Sequence, residues 1–469
     1  MSAGLRLYIR HMSWPIVAAM LGLFAVGVAA ISFSQQVTGL AGESARAQLV
    51  YGAVAIIVFV MALTVPYRRL GQLAYPLFAI TLILLVAVLF TAPVRSTTRW
   101  FNLGLFRIQP SEIAKLTYVL MLAWYLRYGD HYRRLRGLIV PFTLAFVPMG
   151  LILIQPDLGT SLLFLPTLYF MLFMAGAQLR HLLMILALGA AVIFVPVPRE
   201  VDGRDFSANR DSFSVTDVGP LRFYGIDSSL PSNKRPEVPL AYFRCQWREG
   251  KIYDIQPFSI RAMRPHQSLR ISGWLRQGDD RVVVREGFQL RWSLITLASG
   301  RWWGAGSDGS QGVSHDDILP IALNQLPHDR TDFVFSLVGG KWGLAGCVAV
   351  LLMYVVIFVF GIEIATVTYD PFGRLLAIGV LGLMLSQILI NVGMTMGLMP
   401  ITGMTLPLVS YGGSSLVVNC AALGLLVNVG ARRMILLSPH PFEHGRKKEK
   451  LTKIESTKDL SERSPKLWR

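Results

Sequence analysis

Ten apolar segments recur along the chain, separated by polar turns, and this pattern constrains the fold more than any other feature. They lie at residues 14–33, 49–65, 74–90, 113–126, 138–154, 158–175, 182–197, 333–360, 375–392 and 416–429. A helix needs about 20 predominantly apolar residues to cross a bilayer. Only helices and closed barrels satisfy the backbone polar groups there. The pattern therefore predicts an all-α polytopic membrane protein with about ten transmembrane helices.

The charge content supports a membrane location and argues against nucleic-acid binding. Of the 469 residues, 53% are hydrophobic and only 16% are charged, whereas about a quarter of a soluble domain is charged. The net charge of +17 has an explanation in a membrane protein, because Lys and Arg collect in cytoplasmic loops. We therefore expect no nucleic-acid partner.

The positions of the arginines predict the orientation of the helices. Arg68, Arg127, Arg180 and Arg432 follow the second, fourth, sixth and tenth segments. All of them then lie on the side of the two termini. The positive-inside rule places both termini in the cytoplasm.

This topology divides the chain into four parts. Residues 1–197 hold helices 1–7, residues 331–430 hold helices 8–10, and residues 431–469 form a basic cytoplasmic tail that we expect to be disordered. A large extracytoplasmic loop, 198–330, precedes helix 8. It contains strand-like stretches at 221–224 and 282–284, and a loop this long is usually either functional or disordered.

Two polar clusters in the first half of the chain have both a structural and a functional interpretation. In the first, Pro110 and Ser111 suit a helix start, and Glu112 and Lys115 share one helix face. This cluster is either a capped helix with a neutralising pair or a polar lining for a lipid head group. In the second, Asp157 either caps the following helix or orients a cation or basic partner.

Two further clusters lie in the second half. Asp332 immediately precedes a long apolar run, where an acid complements a helix dipole even without any catalytic role. Residues 400–415 combine two prolines with glycines and hydroxyls at membrane depth. Such a segment predicts a re-entrant or broken helix, which is tolerated only where it is buried in protein or lines a wet cavity. It is the strongest physical indication of a site.

Six motifs in a fixed order resemble one protein family. They are Arg99-Trp100, Gln109-Pro-Ser-Glu112 with Lys115, Gln155-Pro-Asp-Leu-Gly-Thr160, Gly287-Phe-Gln289, Thr331-Asp-Phe333 and Leu406-Pro-Leu-Val-Ser-Tyr-Gly-Gly-Ser414. Each motif alone is weakly specific, but six in this order are very specific. Over about residues 14–430, the chain resembles the SEDS (shape, elongation, division and sporulation) family, whose bacterial members are RodA, FtsW and SpoVE. The resemblance implies a ten-helix bundle of SEDS type.

The resemblance also implies an activity, namely that of a peptidoglycan glycosyltransferase in the bacterial cytoplasmic (inner) membrane. Such an enzyme polymerises lipid II at the outer membrane face by an inverting transfer that expels undecaprenyl pyrophosphate. This chemistry needs a base near the acceptor hydroxyl and positive charge near the leaving group. The resemblance implies no organic cofactor and a catalytic Asp332, either as general base or as ligand of a divalent cation such as Mg²⁺ or Mn²⁺.

Further roles follow from the same resemblance. Arg99, Lys115 and Arg270 are the positive groups expected to contact the pyrophosphate, and Glu112 is expected to hold Lys115 in place. The other substrate-binding residues implied by the motifs are Asp157, Gln289, Thr331, Ser410 and Gly412.

The chain departs from the family pattern in several places. His328 and Arg330 stand where the family usually has Glu and His, and Trp292 stands where Gln is common. About 60 residues, roughly 199–260, form an insertion in the external loop. One hypothesis is that this insertion docks a partner.

The resemblance implies partners and leaves two alternatives open. A class B penicillin-binding protein, a transpeptidase, and other elongasome or divisome membrane proteins are the expected partners. Residues 400–403 resemble RodA and residues 404–407 resemble FtsW; we favour the RodA branch, and hence cell elongation over division. The alternatives are a lipid II flippase, which cavities and broken helices serve equally well, and a non-catalytic scaffold.

Overall fold

The computed structural model describes most of the apolar helical chain and a small β-sheet in the predicted external loop. The described residues are 12–39, 42–91, 99–102, 107–194, 196–201, 213–218, 221–226, 243–247, 252–257, 270–271, 273–274, 277, 287–304, 319, 321–323, 325–326 and 328–432. The predicted tail after residue 432 and the strand-like stretch 282–284 lie outside this part of the chain.

Helices dominate the described chain. They are α1 (Trp14–Val37), α2 (Glu43–Thr64), α3 (Tyr67–Gln72), α4 (Ala74–Ala87, extended by a 3-10 turn Val88–Phe90), α5 (Pro110–Leu126), α6 (Ile139–Ile154), α7 (Leu158–Leu162), α8 (Phe164–Ala175), α9 (Leu179–Phe194), α10 (Phe288–Ser299), α11 (Val334–Val367), α12 (Pro371–Thr395) and α13 (Gly413–Ala431). A two-stranded ribbon, β1 (Phe101–Asn102) and β2 (Arg107–Ile108), precedes α5.

Each of the ten predicted apolar segments contains a helix, which confirms a polytopic membrane bundle. Among the described residues, seven helical spans have the length and composition to cross a bilayer: Trp14–Val37, Glu43–Thr64, Leu135–Ile154, Leu158–Ala175, Val334–Val367, Pro371–Thr395 and Gly413–Ala431. Ala74–Phe90 and Leu179–Ala191 are shorter apolar helices, and α5 has 17 residues. The count of ten spans stays a prediction.

The helix α10 lies in the region that the sequence assigned to the external loop, and no segment was predicted there. It packs against α11, whose helical geometry breaks at Gly343 with φ 64°. Past this break, the amides of Leu344 and Ala345 donate to the carbonyls of Arg301 (2.8 Å) and Trp302 (3.1 Å). The segment that follows α10 therefore satisfies the backbone donors that the break in α11 leaves without helical partners.

Part of the external loop forms a five-stranded antiparallel sheet. Its strands are β3 (Pro196–Val201), β4 (Phe213–Val218), β5 (Leu221–Ile226), β6 (Phe243–Trp247) and β7 (Ile252–Pro257), in the order β3-β7-β6-β5-β4. The predicted strand-like stretch at 221–224 lies within β5. The first and last strands pair, so that Val201 lies opposite Ile252.

The centre of the bundle is formed by α12 and α13. In each of them 78% of the most apolar window is buried inside the protein, against 28% in α2 and α11. Both helices therefore contact mainly protein, and the non-helical segment that joins them, residues 396–412, is held within the bundle. This arrangement places polar backbone beside α5 and the start of α11.

Candidate active site

A cavity of about 530 Å³ opens at one end of the bundle. It lies among the start of α5, the turn before α7, the residues that precede α11 and the segment between α12 and α13. Eight of the ten residues singled out from the sequence line it: Arg99, Glu112, Lys115, Asp157, Arg270, Thr331, Asp332 and Gly412. Residues more than 300 positions apart in the sequence, such as Arg99 and Gly412, therefore share one polar site.

Asp332 is positioned by a tight turn that begins at His328. The His328 carbonyl accepts hydrogen bonds from the amides of Thr331 (3.1 Å), Asp332 (3.0 Å) and Phe333 (3.3 Å). His328 itself has φ 60°, a left-handed conformation that non-glycine residues adopt uncommonly. The turn ends where α11 begins and directs the Asp332 side chain into the cavity.

Three consecutive carbonyls, those of residues 330–332, are each held by a different donor. In order, the donors are the Tyr411 amide (2.8 Å), the Ser410 hydroxyl (2.5 Å) and the Asn391 side-chain amide (2.9 Å). Asn391 also donates to the carbonyl of Met404 at 2.6 Å. The segment between α12 and α13, together with Asn391 of α12, therefore fixes the backbone of Asp332 and of the two residues before it.

The environment of Asp332 favours its neutral form. Its side chain keeps some exposure to the cavity, but packed protein atoms surround it, and this burial raises its pKa. The positive charges of His328 and Arg270 and the Thr331 hydroxyl lower the pKa, while the negative charge of Asp157 raises it further. An acid with a raised pKa is suited to exchange a proton near neutral pH.

Asp157 both caps α7 and lines the cavity. It accepts hydrogen bonds from the Thr160 amide (3.2 Å) and hydroxyl (3.0 Å) and from the Gln109 side chain (3.0 Å). The predicted cap is therefore confirmed. Arg99 lies alongside, its guanidinium 3.9 Å from the Asp157 carboxylate.

The guanidinium of Arg99 is oriented by backbone carbonyls. Its Nε donates to the Gln155 carbonyl at 2.7 Å, and Nη2 donates to the carbonyl of Pro156. A quarter of the side chain remains exposed. These bonds hold a positive charge at the cavity wall.

Glu112 and Lys115 form a buried ion pair of 2.8 Å between Glu112 Oε2 and Lys115 Nζ. Their side chains are only 7% and 3% exposed, and buried charges require a partner. The pairing predicted from the i,i+3 spacing is confirmed. Because both residues also line the cavity, the pair neutralises two buried charges and also forms part of the polar wall.

The segment between α12 and α13 supplies much of the remaining lining. Residues 400–405 contact the cavity, and Gly403 has φ 75°. A Cβ at Gly403 would lie 3.5 Å from both Arg270 Nη1 and Asp332 Oδ2. The prediction of non-helical backbone around a cavity is confirmed, and the glycine leaves space between the cation and the acid.

Two predicted substrate-binding residues do not line the cavity. Gln289 lies in the first turn of α10, away from the lining. Ser410 is buried, and its hydroxyl is engaged by the Thr331 carbonyl and the Leu406 amide (2.8 Å). Trp292 packs instead against a small cluster with Leu290 and Phe333.

Gln387 of α12 is a lining residue that the sequence motifs did not predict. It is 1% exposed, and among the described residues its Oε1 has no hydrogen-bond partner. The signal was present, because a glutamine inside an apolar helix must find a partner or a wet surface.

The described residues do not form a protein-built metal centre. Within them, no group of three or more His, Cys, Asp and Glu side chains is placed to hold a metal ion. Asp157, another acid that lines the cavity, already has Gln109 and Thr160 as partners. Because Mg²⁺ is usually held by one or two carboxylates together with substrate phosphates, the role of Asp332 as ligand of a divalent cation stays a prediction. The roles derived below need no cation.

The class of protein is defined by three features: a helical bundle, a broken segment between its two central helices, and a cavity that contains an acid. It is a polytopic membrane protein with a polar site at one end of the bundle. A family model described as cell cycle protein, for FtsW, RodA and SpoVE, matches residues 10–202 and 252–434. This chain belongs to that family. The match omits residues 203–251, which lie inside the segment set apart as an insertion.

Individual relatives agree with this assignment. The chain is 31% identical to the peptidoglycan glycosyltransferase RodA of Treponema pallidum over 82% of this chain and 89% of the relative. It is 27% identical to a probable peptidoglycan glycosyltransferase FtsW of Aliivibrio salmonicida over 92% and 91%, and 28% identical to the stage V sporulation protein E of Bacillus subtilis over 82% and 86%. Of these three relatives, the one with the highest identity is a RodA, which agrees with the RodA branch of the family.

Solved structures give the same fold. One, from a study of structural coordination of polymerization and crosslinking by a peptidoglycan synthase complex, has a TM-score of 0.63 and 25% identity, covering 89% of this chain and 97% of that one. The RodA of Thermus thermophilus has a TM-score of 0.56 and 24% identity, covering 90% and 97%.

Proposed function

We propose that this protein is a peptidoglycan glycosyltransferase that polymerises lipid II into glycan strands for cell elongation. The observation that carries the proposal is the Asp332 carboxylate in a cavity that also contains Arg99, Lys115 and Arg270. One acid and several cations are what a transfer with a pyrophosphate leaving group requires. A volume of about 530 Å³ is in the range of small-molecule sites and accommodates the reacting sugars rather than the lipid tails.

In the reaction, the Asp332 carboxylate takes the proton from the 4-hydroxyl of the acceptor GlcNAc. The hydroxyl oxygen forms a bond to the anomeric carbon of the donor MurNAc, and the bond from that carbon to the pyrophosphate breaks. Attack from the face opposite the leaving group inverts the anomeric centre. The negative charge that develops on the undecaprenyl pyrophosphate is stabilised by the cationic side chains.

The charge distribution supports an orientation with the cavity on the outer face of the cytoplasmic membrane. Arg68 and Arg432 lie at the other end of the bundle, where Arg68 contacts Asp370 (3.4 Å) and Arg432 donates to the carbonyl of Thr64 (2.7 Å). The positive-inside rule assigns that end, with both termini, to the cytoplasm.

A partner transpeptidase belongs to the proposal. A structural neighbour comes from a peptidoglycan synthase complex. We expect this chain to act beside a class B penicillin-binding protein, which crosslinks the strands that it makes.

The flippase alternative is less well supported. A transporter needs polar groups near the bilayer midplane. Among the described residues, the buried charged side chains lie instead at the two ends of the bundle, with Glu112, Lys115 and Asp157 at the cavity and Arg374 at the opposite end.

The test is polymerisation of labelled lipid II by the purified full chain, alone and with its class B partner, comparing wild type with Asp332→Asn. The amide keeps the size of the carboxylate but cannot accept the proton, so we expect glycan ladders to fall by at least about 10³-fold. Asp329→Asn is the matched control. Asp329 lies three residues earlier, outside the cavity, and bonds Ser34. Equal activity of wild type and Asp332→Asn, or no ladders from wild type with a bound partner, would favour a scaffold or a flippase.

A further inference from the structure

A second cavity, of about 450 Å³, lies at the end of the bundle opposite the candidate active site. It is bounded by the end of α5 and the turn after it, by the last residue of α8 and by the first turn of α12. Lys115 of the active site lies twelve residues before Arg127 of this cavity, and a helix rises 1.5 Å per residue. The two sites are therefore separated by roughly 18 Å along α5.

The lining of this second cavity is strongly basic. It contains Arg127, Arg133 and Arg374 but, among the described residues, a single acid, Asp130. Arg374 is 5% exposed and fixed by two hydrogen bonds to the Thr368 carbonyl, from Nε (3.2 Å) and Nη2 (2.8 Å). Positive side chains that line one cavity repel each other, and an anion bound among them would offset this repulsion.

Arg127 provides an independent observation. Its guanidinium carbon lies 3.0 Å from the centre of the Trp124 ring and 4.8 Å from that of Tyr128. Among the described residues, its Nη1 is buried and has no hydrogen-bond partner. A buried donor without an acceptor costs about 1–3 kcal/mol or more for a charged group, and the aromatic contacts fix the guanidinium without satisfying this donor. No acceptor for this atom comes from the part of the chain that the structure describes, so the cavity offers a donor to a bound anion.

The remaining lining is apolar. Leu126, Ala175, Pro371 and Leu375 complete the wall, so that the cavity combines cations with a surface suited to hydrocarbon. Guanidinium groups bind phosphate through paired hydrogen bonds. Basic pockets between the ends of transmembrane helices on the cytoplasmic side are suited to phospholipid head groups.

We propose that this second cavity binds the phosphate group of an anionic phospholipid, with Arg127, Arg133 and Arg374 as its donors. The glycerol region of the lipid contacts the apolar wall, which gives the site a preference for a lipid over free phosphate. The site is separate from the lipid II cavity and does not depend on the function proposed above.

The experiment uses the full chain in nanodiscs that contain a phosphatidylglycerol fraction in phosphatidylcholine, and counts retained lipids by native mass spectrometry. We expect wild type to retain phosphatidylglycerol in preference to phosphatidylcholine, and Arg133→Gln to lower that retention about tenfold. The control is Arg134→Gln, which removes the same charge from an exposed neighbour outside the lining. Arg127→Gln also tests the site, but it removes the contact with Trp124, so Arg133, whose side chain is 58% exposed, is the safer position.

Asp130→Asn provides a test of opposite sign. Asp130 lies 3.5 Å from Arg133 and is 80% exposed, so its removal leaves the local fold intact and raises the positive charge of the lining. We expect retention of phosphatidylglycerol to increase severalfold. A general loss of folding cannot produce an increase.

Three results would overturn the proposal. The first is an equal loss of phosphatidylglycerol retention in Arg133→Gln and Arg134→Gln, which would indicate diffuse attraction by the basic face. The second is unchanged retention in both variants. The third is the absence of an increase in retention in Asp130→Asn. A further arm adds inorganic phosphate to the chain in detergent without anionic lipid. Stabilisation by phosphate equal to that by phosphatidylglycerol, measured as a shift in unfolding temperature, would assign the site to a soluble anion instead.

Discussion

At the residue scale, the carboxylate of Asp332 is subject to two opposing influences. Burial raises its pKa, while the charges of His328 and Arg270 lower it. A general base has to be deprotonated before it can act. If Asp332 is the base, as proposed above, we expect activity to fall as the pH drops through this raised pKa, and we expect its charged neighbours to set the acid limb of the pH profile.

The substitution His328→Asn tests the electrostatic effect of His328 on Asp332. A protonated His328 lowers the pKa of Asp332, and asparagine removes that charge while tolerating the left-handed backbone at φ 60°. The pKa of Asp332 then rises, and we expect the acid limb of the polymerisation rate to move to higher pH with little change at alkaline pH. The measurement is the rate of lipid II polymerisation between about pH 5 and 9, a range that lies above the ordinary pKa of a carboxyl group. His131→Asn, at an exposed position elsewhere, should leave the limb in place, and a shift toward lower pH would contradict the electrostatic account.

The sequence predicted most of the residues of the candidate site but not all, and the reason is physical. Asp332, Arg99 and Lys115 were identified because they lie in motifs of the family, whereas the local pattern around Asp332 also fitted a helix-dipole role. Gln387 lies outside those motifs, and only its polarity inside an apolar helix indicated a polar contact. Conversely, Ser410 lies in a site motif but serves the backbone of Thr331, and only the three-dimensional arrangement distinguishes a lining residue from one that supports it.

At the element scale, the broken segment between α12 and α13 acts as a support for the start of α11. Its Tyr411 amide and Ser410 hydroxyl hold the carbonyls of residues 330 and 331. Asn391 of α12 holds the carbonyl of residue 332 and also donates to the Met404 carbonyl of the segment. The position of Asp332 thus depends on groups that lie about 60 to 80 residues further along the chain. Local sequence around Asp332 cannot reveal this, although the prolines and glycines of the segment did predict that it is non-helical.

Gly403→Ala tests this element. The residue has φ 75°, which costs an alanine roughly 1–2 kcal/mol, and the new Cβ would lie between Arg270 and Asp332, 3.5 Å from each. We expect kcat/KM for lipid II to fall about tenfold or more, because each 1.4 kcal/mol of lost transition-state stabilisation is a factor of about ten.

The matched control for this prediction is Gly189→Ala in α9, where an added Cβ has no neighbour within 4 Å. It should keep wild-type activity. If Gly403→Ala polymerises lipid II as fast as Gly189→Ala does, the space between cation and acid does not matter for the reaction.

Helices were predicted well where an apolar run of sufficient length determines them locally, and poorly where tertiary contacts do. The element α10 contains Gln289, Arg291 and Ser293, so that its composition does not suggest a membrane-embedded helix. It forms because it packs on α11 beside the break at Gly343. There the Ser293 hydroxyl lies 2.6 Å from that of Ser336 and donates to the carbonyl of Thr395.

At the scale of the whole molecule, the five-stranded sheet is connected to the bundle through strands β3 and β7. The edge strand β3 pairs with β7, and Val201 lies opposite Ile252. Both strands lie within the family match, which stops at residue 202 and resumes at 252. Strands β6, β5 and β4 lie in that order beside β7, and all three lie in the segment that the family match omits.

This geometry predicts that the insertion can be removed without damage to the membrane bundle. Replacing residues 202–251 by Asn-Gly, which favours the tight turn of a two-residue hairpin, joins Val201 to Ile252 at their existing separation. We expect the shortened protein to keep its unfolding temperature within a few degrees, since a surface change away from packed features alters stability by about 0.5 kcal/mol or less. Lipid II polymerisation by the chain alone should also persist. A second variant that replaces residues 196–257 loses the β3–β7 ladder as well and should be less stable.

Affinity for the class B partner is the separate measurement that decides the role of the sheet. The edge strand β4 has one unpaired side, which can accept a strand from a partner, so we expect the 202–251 deletion to weaken partner binding about tenfold. Loss of polymerisation by the isolated 202–251 variant would mean that the sheet supports the active site itself, and unchanged partner affinity would exclude a docking role.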